Sequence, residues 1–106
     1  MLQKLATTAD NKTAIAKEGG IPALILLALE GTPEGKARAA GRLWRLARNP
    51  DNQKAIYNWG GVPALINLVN EGTPLCKDRA VAALENLAQN ADAKAKMLRF
   101  GYVADS

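Results

Sequence analysis

The chain has 106 residues, with 14 Lys and Arg against 10 Asp and Glu, no histidine and one cysteine. A formal net charge of +4 and an isoelectric point near 9.5 favour acidic partners without naming their class. One cysteine excludes an internal disulfide, the lack of histidine removes a common metal ligand, and no apolar run approaches the roughly 18 residues of a membrane span.

The elements follow from punctuation and apolar spacing. Leu2-Gln3-Lys4-Leu5-Ala6 reads as the last turns of a helix, and residues 10–18 as a short helix anchored by Ile15. After the Gly19-Gly20 break, Pro22 opens a helix over 22–30 that is apolar on most sides, so burial within the core is expected. Gly31-Thr32-Pro33 then stops one helix and starts the next, with Gly31 expected in the left-handed region, Thr32 as the cap and Pro33 in the first turn. The helix over 33–48 places Ala39, Ala40, Leu43, Leu46 and Ala47 on one buried face. Arg38, Gly41, Arg45 and Arg48 fall opposite, flanked by Arg42 and Trp44.

Asn49-Pro50-Asp51 is a third break, with Asp51 expected to cap a short helix over 51–59 anchored by Ile56. The same signals return in order. Gly60-Gly61 precedes a helix over 63–71, and Gly72-Thr73-Pro74 starts a long helix. That helix buries Ala80, Val81, Leu84, Leu87 and Ala88 and presents Arg79, Ala82, Asn86 and Gln89, flanked by Glu85. Asp92 is expected to cap a last short helix over 92–100 anchored by Met97. Trp59 and Phe100 end the two short helices and are expected to pack near the Gly-Gly turn. Cys76, near the start of a long helix, is expected to be a small, half-buried side chain.

Residues 19–59 and 60–100, set one under the other, are identical at 19 of 41 positions. Three breaks per period leave a short, a medium and a long helix in each unit. Asp51-Asn52-Gln53-Lys54-Ala55-Ile56, Gly60-Gly61-Val62-Pro63-Ala64-Leu65-Ile66 and Ala82-Ala83-Leu84-Glu85-Asn86-Leu87-Ala88 together resemble the armadillo repeat across nearly the whole chain. HEAT repeats, with two helices per unit, do not account for the Gly-Gly-x-Pro junction.

The resemblance implies an all-α fold, a right-handed α-solenoid of stacked three-helix repeats. The register divides it into the end of a preceding repeat (1–9), two complete repeats (10–50 and 51–91) and the start of a further one (92–106). On this register the chain is expected to be a fragment of a longer solenoid or a small subunit docked through its ends. It also implies a non-enzymatic interaction scaffold that binds an extended peptide along its third helices. The residues at those positions are Lys4, Arg38, Arg42, Trp44, Arg45, Arg48, Arg79, Asn86 and Gln89. Asn86 holds the family's peptide-gripping asparagine position, whereas Arg45 and Lys4 stand there in the earlier units. Members that take basic signals carry a tryptophan four residues before that asparagine; Gly41 and Ala82 are found here.

An arginine-rich face repels basic ligands and suits an acidic peptide or protein. The alternative is a structural subunit of a larger assembly; nucleic acid or acidic lipid is the weakest of the three readings. No nucleophile–base pair, phosphate loop or cofactor motif is present, so no enzyme activity and no cofactor are expected. The lone cysteine and the lack of a signal peptide imply an intracellular protein, cytoplasmic or nuclear.

Overall fold

A computed structural model describes residues 20–103; the expectations placed on Lys4, Ile15 and the helix over 10–18 lie outside them. Six helices follow in order: α1 (Ile21–Glu30), α2 (Pro33–Leu46), α3 (Pro50–Asn58), α4 (Gly61–Glu71), α5 (Pro74–Leu87) and α6 (Ala91–Arg99). No strand occurs among the described residues. Helices 41 residues apart in the sequence pack on each other, α1 on α4, α2 on α5 and α3 on α6, with α2 on α5 the most extensive contact.

The punctuation sets these boundaries, though not always by the expected atoms. Thr32 and Thr73 cap α2 and α5, their hydroxyls accepting from Gly35 N at 3.1 Å and Cys76 N at 3.3 Å. Gly31 and Gly72 are not left-handed: their φ values are −75° and −78°. They are glycines for closeness instead. A Cβ on Gly31 would lie 2.6 Å from the Leu27 carbonyl oxygen, and one on Gly72 would lie 2.8 Å from Cys76 Cβ. The left-handed glycines are Gly20 and Gly60, at φ 82° and 83°, where the chain turns into α1 and α4, and Gly101, at φ 77°, after α6.

The short helices are both capped two residues earlier than expected. Asn49 Oδ1 accepts from Asp51 N at 2.8 Å and from Asn52 N at 3.2 Å, and Asn90 Oδ1 accepts from Ala93 N at 2.9 Å. Asp51 and Asp92 lie inside the first turn, where a carboxylate favours the helix dipole without capping. Asn49→Ala is therefore expected to cost about 1 kcal/mol and Asp51→Ala less than half of that, measured by urea unfolding.

The core joins the two halves through small residues and leucines. Ala39, Ala40, Leu43 and Ala47 of the first half meet Ala80, Ala83, Leu84 and Leu87 of the second, while Ile56 and Met97 anchor the short helices as expected. Leu46, Val81 and Ala88, expected in the buried face, are only partly covered. α4 is sandwiched, touching α1, α3, α5 and α6. α1 is not: Leu26 and Leu29 are 55% and 46% exposed, at places where α4 carries Asn67 and Asn70. Trp59 and Phe100 face outward as well, at 39% and 52% exposure. The space against Gly61 that Trp59 was expected to share is filled by the Ile56 side chain.

Candidate functional site

The face opposite the core of α2 carries the arginines that helical spacing placed there. Arg38, Arg42 and Arg45 are exposed and, with Gly41, Trp44 and Arg79 of α5, line a recess of about 360 Å³. A neighbouring recess of about 330 Å³ shares Arg42 and Arg45 and adds Leu24 and Leu46, so this pair stands between two concavities. Among the described residues, the side chains of Arg38, Arg42 and Arg45 have no ion-pair or hydrogen-bond partner. Their charge is carried on one helix with no carboxylate partner among the described residues, although like charges at i, i+3 and i, i+4 weaken a helix. Arg48 is exposed and lies over the Trp44 ring, 5.5 Å from its centroid, a cation–π contact that covers the half-buried indole.

The α5 residues assigned to the same face do different work. Arg79 is half-buried, and its Nη1 donates to the Ala37 carbonyl at 3.1 Å. Asn86 Nδ2 donates to the Trp44 carbonyl at 3.0 Å, and the buried Cys76 thiol donates to the Pro33 carbonyl at 3.5 Å. The acceptors advance along α2 in the order of the donors along α5, so the two helices run in the same direction. Asn86 thus spends one amide hydrogen on the neighbouring helix, and its side-chain oxygen and second hydrogen make no hydrogen bond among the described residues. Gln89 lies apart from the recess, its Oε1 accepting from Gln53 Nε2 at 3.2 Å. Lys4 lies outside the described residues.

Gln53 is the residue that reading the sequence for function passed over. It is 4% exposed, and its Nε2 reaches the Ala47 carbonyl at 2.8 Å and the Asn86 carbonyl at 3.3 Å as well as Gln89. Those carbonyls close the ends of α2 and α5, so one amide ties three helices together. Its position, three residues before Ile56 on α3, was the available signal: that spacing puts it on the anchored face.

No group of three or more His, Cys, Asp or Glu side chains gathers among the described residues in a way that could hold a metal ion. No helix among them is long and apolar enough to cross a membrane. No family profile, curated protein or solved structure matches the chain.

Proposed function

We propose that this chain is a segment of an armadillo-type solenoid that acts as an interaction scaffold, holding an extended acidic peptide or protein segment along the α2–α5 face. The sequence register and the packing of each helix on the one 41 residues away support the solenoid reading. The observation that carries the ligand class is the recess of Arg38, Arg42, Arg45 and Arg79, which no carboxylate lines among the described residues. Trp44 and Arg48 extend this surface along α2, and the unengaged amide oxygen of Asn86 extends it along α5.

A second reading is docking into a larger assembly through α1. Ala23 and Leu27 are exposed, whereas Ala64 and Leu68, their equivalents on α4, are 1% and 2% exposed. Affinity capture with the wild-type chain and with an Arg42→Glu/Arg45→Glu variant separates the two. Acidic partners are expected to fall at least tenfold in affinity on the reversal, a loss of about 1.4 kcal/mol or more. Partners that ignore it but are lost on Leu27→Asp would overturn the groove in favour of α1.

A further inference from the structure

We infer that the recess over Gly41 is a subsite for a phosphate monoester, the anchor for a phosphorylated side chain of the peptide; the inference rests on the α2–α5 face being the peptide groove. Among the described residues, four guanidinium groups, one indole and one glycine line it, and no carboxylate does. That is more positive charge than one Asp or Glu side chain neutralises. A phosphate monoester near pH 7 carries close to two charges and three terminal oxygens, enough to accept from guanidinium forks arriving from two helices.

The recess is also prepared for such a group. Arg79 is oriented by its bond to the Ala37 carbonyl, which uses one of its five N–H donors and leaves the others available. Arg38, Arg42 and Arg45 have no competing partner among the described residues. Gly41 forms the floor: a Cβ there would lie 3.4 Å from Arg79 Cδ and 3.6 Å from its Nη1, so its absence deepens the space beside the guanidinium.

The charge is local. Forty-one residues on, Arg38, Gly41, Arg42 and Arg45 become Arg79, Ala82, Ala83 and Asn86, with Glu85 beside them. A nucleic-acid strand needs a line of phosphate contacts and open aromatic platforms, whereas Trp44 is half-buried beneath Arg48. A single phosphorylated residue fits a single cluster.

The test uses three pools of fluorescein-labelled peptides with Glu-rich degenerate flanks and a fixed central phosphoserine, glutamate or serine, titrated by anisotropy against the full chain. The phosphoserine pool is expected to bind at least tenfold more tightly than the glutamate pool. Arg38→Gln/Arg42→Gln should bring the two within twofold. Arg38→Lys/Arg42→Lys, which keeps the charge and loses the fork, should give an intermediate ratio, and Arg99→Gln on α6 should leave the ratio unchanged. Both recess arginines are exposed, and far-ultraviolet circular dichroism verifies that the variants remain helical.

Equal binding of the phosphoserine and glutamate pools overturns the phosphate subsite and leaves the acidic groove standing. Failure of all three pools to bind wild type overturns both. A phosphoserine preference that survives Arg38→Gln/Arg42→Gln puts the site elsewhere and overturns the assignment. So does a single-stranded RNA oligomer that competes as well as the phosphoserine pool at equal phosphate concentration.

Discussion

At pH 7, Gln53→Glu is expected to lower the stability of the chain by about 3–5 kcal/mol, more than any surface change on α3. The Gln53 amide is buried and its nitrogen faces three oxygens, the Ala47 and Asn86 carbonyls and Gln89 Oε1. A carboxylate offers those acceptors no hydrogen and adds negative charge beside them. The folded state therefore raises the pKa of the new glutamate above its unfolded value of about 4.3. The folded form keeps a proton that the unfolded form has released, so stability is fullest below that unfolded pKa and falls as pH rises past it. Urea unfolding of the variant and wild type between pH 4 and 7 checks the sign: the gap between them should widen with pH. Gln53→Met, which keeps the bulk and loses the donor, should cost about 2 kcal/mol with no such widening.

Gly61→Ala is expected to cost about 2–3 kcal/mol, enough to lower the melting temperature by roughly 10–20 °C. Alanine ordinarily stabilises a helix relative to glycine, so the expected sign runs against propensity. Gly61 is buried at the start of α4. A Cβ there would overlap Ile56 Cγ2, lie 2.9 Å from the Ile56 carbonyl oxygen and come within 3.4 Å of Ile25 Cδ1. Ile56 is fully buried, so it has no direction in which to yield. Gly60→Ala is the contrasting case. Nothing lies within 4 Å of its Cβ position, and only the left-handed φ of 83° opposes the change, at about 1 kcal/mol. Equal melting temperatures for the two variants would contradict this division between packing and backbone conformation.

These two glycines show where sequence reading succeeds and where it stops. Gly60-Gly61 was legible as a junction, but which glycine serves the turn and which serves a close approach depends on Ile25 and Ile56. Thr32, Pro33, Thr73 and Pro74 announced α2 and α5 correctly because a cap and its helix are neighbours in sequence. The short helices were misread by a residue or two because Asn and Asp can both cap and Pro50 separates them. Trp59 and Phe100 were expected near the Gly-Gly turn by analogy with each other; they are 39% and 52% exposed, and at Gly61 the close neighbours are Ile56 and Ile25.

The candidate site divides in the same way. Arg38, Arg42, Trp44 and Arg45 lie on one helix, and helical periodicity alone gathers them. Arg79, Asn86, Gln89 and Gln53 are bound to groups 33–42 residues distant or across helices, and their partners are mostly backbone carbonyls. A carbonyl leaves no mark in the sequence. Asn86 therefore looked wholly available to a ligand, while its amide nitrogen is already partly engaged.

The ties from Cys76, Arg79 and Asn86 have a consequence for how this molecule can change. Each donor is encoded in α5, but each acceptor is the main chain of α2, at Pro33, Ala37 and Trp44. Any amino acid offers that oxygen, proline included. The hydrogen bonds of the seam between neighbouring units are thus encoded on one side only, although the packing beneath them needs side chains from both helices. The exposed positions of α2, Arg38, Arg42 and Arg45 among them, can change without touching these ties, whereas Ala39, Ala40, Leu43 and Ala47 are held by the core.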